Sequence, residues 1–195
     1  MNANRSDRRI YKTKRAIEKG LIELMKTKRI NDISIKELCE FIDINRGTFY
    51  NHYVDMLDLK SKIEDKLLDN LNNTLSKYSA EELNDQPLPL FEDILEFINK
   101  NSDIALILLN DEKSNPFLEK IIGIVKNKSL DSWGTFYKNC NSDDYSYFLE
   151  YAIHGCLGII NKWLITGMKQ SPKNMAILLE NIVMDGSFFL EKKSN

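Results

Sequence analysis

The chain has 195 residues, 43% hydrophobic and 29% charged, with 27 basic against 29 acidic side chains and a net charge of −2. That balance excludes a wholly disordered chain, and the length suffices for one or two domains with cores of their own. Eight glycines and four prolines are too few for the turns of an all-β fold, and no run of about 18 uncharged apolar residues offers a membrane span.

The three cysteines, Cys39, Cys140 and Cys156, are widely spaced and odd in number. They argue against a disulfide framework or a zinc site and fit a reducing, cytoplasmic setting. The basic N-terminus is followed by no apolar segment of a secretory signal. Charge divides along the chain: residues 1–60 hold 13 Lys/Arg and 9 Asp/Glu, the remainder 14 and 20. Arg5, Arg8, Arg9, Lys12, Lys14 and Arg15 fall within eleven residues, opposed by Asp7 alone. A basic module on an acidic body suits one end that meets a polyanion, although a solvated basic face reads the same way.

In chain order, Ile10, Ile17, Leu21 and Leu24 predict a helix over about 8–28, with Lys26, Lys28 and Arg29 suited to the negative end of its dipole. Ser34-Ile35-Lys36-Glu37 reads as a capping box opening a short helix to about residue 42. Asn45 is an N-cap for a third helix running to Tyr53, two or three residues later. Two short helices so closely joined, after a longer one, form the helix-turn-helix pattern. A fourth helix is predicted from Asp55 to about Tyr78. Ser79 to Pro89 reads as a loop. Five further helices follow: Phe91 to Asn99, Ile104 to Leu109, Pro116 to about Tyr137, Asp143 to Met168, and Pro172, capped by Ser171, to about Lys192. The expected fold is all-α with about nine helices: residues 1–54 as a three-helix DNA-binding domain, residues 55–195 as a helical effector-binding and dimerisation bundle.

The third helix carries the functional signal. Ile44, Phe49 and Tyr53 suit an inner face, and Arg46, Gly47, Thr48, Tyr50 and His52 an outer one. Arg46 suits guanine O6/N7 or a phosphate, and Thr48 a thymine methyl or a phosphate. Gly47 lets the backbone approach a duplex closely. Tyr50 and His52 offer polar tips to phosphate oxygens. Ser34, Lys36, Asn45, Asn51 and Lys60 complete the candidate DNA contacts.

The run Ser34-Ile35-Lys36-Glu37-Leu38-Cys39, followed by Ile44-Asn45-Arg46-Gly47-Thr48-Phe49-Tyr50-Asn51-His52-Tyr53, resembles the DNA-binding signature of the TetR/AcrR family of bacterial transcription regulators. Tyr151 to Leu164, with Gly167-Met168 and Ser171-Pro172, resembles the C-terminal domain of a Firmicutes-type branch, which includes proteins similar to a coactivator of dihydroxyacetone-kinase operons. The resemblance implies a homodimer that binds a pseudo-palindromic double-stranded operator. It also implies an effector pocket that sets the spacing of two DNA-reading heads. The family's usual lysine at the start of the fourth helix is Met56 here, leaving Lys60 or the arginine-rich N-terminus as substitutes.

Gly155, Gly158, Ile159, Trp163, Leu178, Leu179, Ile182, Phe188 and Phe189 on the last two helices are candidate interface residues, since glycines allow close helix approach and aromatics anchor interfaces. Phe97, Trp133, Phe136, Tyr137, Tyr147, Tyr151 and His154 are candidates for a pocket taking a small apolar effector. The same positions serve equally as core. No phosphate loop, dinucleotide fingerprint, nucleophile elbow or zinc-protease motif is present, so no enzyme, cofactor or metal site is expected. The expected function is a ligand-responsive repressor, with a coactivator or adaptor docking a partner protein as the alternative.

Overall fold

The computed structural model describes residues 3–109, 115–133 and 142–192, with side chains described over 7–83, 86–109, 115–130 and 143–187. Among the described residues the regular structure is all helical, with ten α-helices: α1 (Ala3–Met25), α2 (Ile35–Phe41), α3 (Arg46–Tyr50), α4 (Met56–Leu75), α5 (Ala80–Asp85), α6 (Leu88–Lys100), α7 (Ser102–Leu109), α8 (Pro116–Trp133), α9 (Ser142–Ile165) and α10 (Pro172–Lys192). Two compact units, Met1–Leu67 and Leu68–Asn195, divide the chain, and the division falls inside α4, later than residue 54.

The first unit closes around Ile17 and Leu21 of α1, Leu38 of α2, Phe49 of α3 and Leu59 and Ile63 of α4, all buried. Gly20 lets α1 and α2 touch. A Cβ there would run into the Ile42 Cγ2, with Leu38 Cδ1 at 3.0 Å. A single-turn 3-10 helix, Ile30–Asp32, leads from α1 to α2. Because α1 stops at Met25, Lys26, Lys28 and Arg29 follow its last turn and do not sit within it.

In the second unit, Leu95 of α6 packs with Ile160, Trp163 and Leu164 of α9 and Met175, Ala176 and Leu179 of α10. Leu71 and Leu75 of α4, Leu83 of α5 and Leu90 of α6 form a second cluster, covered by Ile121, Ile124 and Val125 of α8. Near the start of α9, Tyr145, Phe148 and Leu149 join Val183 of α10.

The segment read as a loop, Ser79 to Pro89, contains α5. Its single buried apolar residue, Leu83, gives no periodic stripe, but Ser79 Oγ accepts from the Glu82 amide at 3.2 Å while Glu82 receives the Ser79 amide at 2.8 Å. Reciprocal capping starts this helix, not amphipathicity. α6 begins at Leu88, ahead of Phe91, because Pro87 already sits near helical geometry at φ −72° and Pro89 falls in the first turn, where no amide is needed. α9 stops at Ile165, short of Met168. Gly167 at φ 81° takes the left-handed position, and the amides of Gly167 and Met168 close back on Leu164 and Trp163 at 3.1 and 2.9 Å. Among the described residues no helix is long and apolar enough to cross a membrane.

Candidate nucleic-acid interface

The α2–turn–α3 segment is held by short local bonds. Ser34 Oγ caps α2 by accepting from the Glu37 amide at 3.1 Å. The Glu37 carboxylate does not complete the reciprocal box; it pairs with the Lys28 ammonium and so ties α2 to the segment that follows α1. α2 ends on Asp43 at φ 55°, a left-handed residue whose amide returns to Glu40 at 3.4 Å while the Ile44 amide returns to Cys39 at 2.9 Å. That pair of bonds is the glycine-type helix stop made with aspartate, which tolerates the conformation better than most side chains.

Asn45 then caps α3. Its Oδ1 accepts from the Thr48 amide at 2.7 Å and from the Thr48 hydroxyl at 3.0 Å. The Thr48 hydroxyl hydrogen is thus committed, which leaves its methyl and an acceptor lone pair for a partner. α3 ends at Tyr50, so Asn51, His52 and Tyr53 form the closing turn, not a further helical turn.

Phe49 is fully buried, and Tyr53 is buried beside it with ring centroids 5.7 Å apart. Tyr50 stands edge-on to Phe49, centroids at 5.6 Å and planes at 86°, yet is 57% exposed. Arg46, Gly47 and Asn51 are exposed, and Thr48 and His52 partly so. Ser34, Lys36 and Asn45 are exposed as well. These candidates are therefore accessible to a partner, while Phe49 and Tyr53 anchor α3 and its closing turn in the core.

The connection into α4 is pinned by groups that sequence reasoning did not single out. Asp55 Oδ1 accepts from the Asp58 amide at 2.8 Å, and Asp58 Oδ2 accepts from the Val54 amide at 2.9 Å. Lys62 Nζ donates to Asp58 at 2.8 Å and to the His52 carbonyl at 3.3 Å, and lies 5.1 Å from the Tyr53 ring centroid. The Lys62 and Val54 bonds hold the Asp58 carboxyl below its ordinary value. Burial, together with the Glu18 and Asp58 carboxylates and a hydrogen bond to Glu18, pushes the Tyr53 phenol up to about 12. Glu18 in turn pairs with Lys66 at 3.1 Å. The Asp58/Lys62 spacing of four was the available sequence signal. Met56 is buried, and Lys60, partly buried, lies 3.5 Å from Glu64.

A second uncovered surface lies on α9 and α10. Gly155 and Gly158 are exposed, and a Cβ at either would meet nothing within 4 Å. Tyr147 and Tyr151 are 76% and 62% exposed, and Ile165, Ile177 and Leu178 are exposed too. Of the other interface candidates, Ile159 and Ile182 are half-buried. Trp163 and Leu179 are buried in the protomer's own core, with Trp163 Nε1 donating to the Gln170 carbonyl at 3.0 Å. They support the face from within and do not form part of it. The side chains of Phe188 and Phe189 lie outside the described residues.

Phe97 is half-buried on α6. Tyr147 and Tyr151 line an open depression of about 270 Å3 with Asp144, Phe148 and Gly186. His154 is exposed, its Nδ1 2.9 Å from the Glu150 carbonyl and 3.6 Å from the Glu150 carboxylate, which also pairs with Lys126. The Trp133 side chain, Phe136 and Tyr137 lie outside the described residues. Burial raises the thiols of both described cysteines, that of Cys156 to about 11. Neither is a reactive thiolate.

Residues 85–185 match a family described as the transcriptional regulator C-terminal region, TetR_C_8. No curated protein sequence matches the chain. Solved structures share the fold. A TetR transcriptional regulator from Streptococcus agalactiae is 22% identical with a TM-score of 0.61, covering 93% of this chain and 98% of that one. NalD, the secondary repressor of the MexAB-OprM multidrug efflux pump in Pseudomonas aeruginosa, is 18% identical with a TM-score of 0.60, covering 90% and 95%. The dihydroxyacetone kinase operon activator DhaS is 17% identical with a TM-score of 0.58, covering 89% and 94%.

Proposed function

This chain belongs to the TetR family of transcriptional regulators, and from that premise we propose that it is a ligand-responsive repressor that binds a pseudo-palindromic operator as a homodimer. The observation that carries the reading is the outer edge of α3: Arg46, Tyr50 and Asn51 are exposed while Phe49 and Tyr53 are locked in the core behind them. The major groove admits an α-helix. Arg46 reads a guanine through O6 and N7, and the Thr48 methyl meets a thymine methyl. Gly47 brings the backbone near the duplex. Tyr50, Asn51, His52, Ser34, Lys36 and Lys60 position the head on phosphates.

One such edge contacts too few bases for useful selectivity, and two copies reach successive major grooves about 34–36 Å apart. The exposed glycines and apolar side chains of α9 and α10 support pairing through those helices. The aromatic depression beside Tyr147 and Tyr151 is a described surface that offers an apolar effector a lining. The chain works by binding and release, with no chemical step.

Competitive titration of wild-type protein and Arg46→Ala tests the reading, using a duplex selected from a random library and one of random sequence. The expected result is loss of about 1–3 kcal/mol of discrimination at the contacted base pair in the variant. Equal discrimination by both proteins contradicts it.

A further inference from the structure

The first half of α1 carries cations that the reading edge does not use. From Asp7 to Ala16 no side chain is buried, and the first buried one among the described side chains of α1 is Ile17. At ~1.5 Å per residue this uncovered stretch extends about 15 Å. Arg8, Lys12, Arg15 and Lys19 recur at spacings of four, three and four, so they form one stripe, on the side of α1 away from buried Ile17 and Leu21.

The remaining lysines of this unit are treated differently. Lys26, Lys28, Lys36, Lys60, Lys62 and Lys66 each lie 3.8 Å or closer to a carboxylate, those of Glu23, Glu37, Glu40, Glu64, Asp58 and Glu18 in turn. Arg8, Arg9, Lys12, Lys14 and Arg15 enter no ion pair among the described residues. Like charges three and four residues apart weaken a helix. The stripe therefore does not serve the stability of α1. At the start of α4 Met56 is buried, and Lys60 and Lys62 each stand beside an acid that offsets part of the charge they offer a phosphate.

We propose that the first half of α1 is a second DNA-binding element, an arm whose Arg8, Lys12 and Arg15 grip duplex phosphates outside the bases that α3 reads. The proposal rests on the DNA-binding reading above and adds a sequence-independent contact to it. A phosphate backbone complements an unneutralised cationic stripe and makes affinity depend on salt through counterion release.

The test uses the full chain carrying Arg8→Gln, Lys12→Gln and Arg15→Gln together, titrated with the selected and the random duplex between ~50 and ~200 mM salt. Glutamine keeps helix propensity at exposed positions, and thermal unfolding checks the fold. The slope of log affinity on log salt should become shallower by about 5 on both duplexes, from the six substituted side chains of the homodimer at about 0.9 per phosphate contact, while the affinity ratio between duplexes stays as in wild type. An unchanged slope overturns the arm. The charge-keeping variant Arg8→Lys/Arg15→Lys should hold the wild-type slope; a fall there equal to that of the glutamine variant also overturns it. Arg46→Ala in parallel separates the two readings. A lost ratio with an intact arm slope removes the arm alone. A reduced arm slope with an untouched ratio removes reading by α3 and leaves the arm.

Discussion

The outer edge of α3 and the outer face of α9 and α10 are both helix surface left uncovered, yet their chemistry is opposite. The α3 edge is polar, sits on helices of five and seven residues, and is fixed by side-chain-to-backbone bonds from Ser34, Asn45, Asp55 and Asp58. The α9–α10 face is apolar, lies on helices of 24 and 21 residues, and presents bare backbone at Gly155 and Gly158. A surface that reads base edges needs groups held in register. A surface that pairs with its own copy needs area and close approach.

Substitutions can break each half of this contrast separately. The largest effect is expected at Phe49, which is fully buried behind the outer edge of α3. Phe49→Ala should destabilise the first unit by about 3–5 kcal/mol, measured by denaturant unfolding, and take DNA binding with it. A small loss would mean that the edge is not built on this ring.

On the other surface, Gly158→Leu adds a side chain where nothing in the protomer stands within 4 Å. Thermal stability of the protomer should hold or rise, because glycine is a poor helix former. Self-association measured by sedimentation should weaken about tenfold or more, the equivalent of roughly 1.4 kcal/mol of overpacking at the contact. Unchanged self-association would move the interface elsewhere.

Legibility differed between the two regions for the same reason. The α2–α3 segment was readable because its signals are local: Ser34 and Asn45 are caps, and the apolar positions alternate with polar ones inside a few residues. Even so, the turn at Asp43 gave no warning, because aspartate stands where a helix stop usually shows glycine. The Glu37–Lys28 pair and the Glu18–Tyr53–Lys66 cluster join residues far apart in sequence, which spacing alone does not link. On α9 and α10 the apolar residues all looked alike. Only packing against Leu95 separates Trp163 and Leu179, inside, from Leu178, outside. α5 was missed because capping and not periodicity defines it.

The smallest effect is expected at Asp58, a half-buried carboxylate held below its ordinary value by Lys62 and the Val54 amide. Its contribution is present above the ordinary carboxylate range and disappears as pH falls through the lowered value. Acid unfolding of Asp58→Asn should therefore lose part of the wild-type pH dependence below about pH 4, and the difference between the two proteins should vanish at still lower pH. Coincident acid profiles would show that the bonds to Lys62 and Val54 add nothing to the α3–α4 connection.

Guanine N7 methylation interference on the selected duplex addresses major-groove reading most directly. Methylation of a guanine in each of two half-sites, centred about 10–10.5 base pairs or a multiple of that apart, should block the wild-type protein and be tolerated by Arg46→Ala. Interference confined to adenine N3 in the minor groove, or the same pattern for both proteins, would contradict the placement of α3 in the major groove.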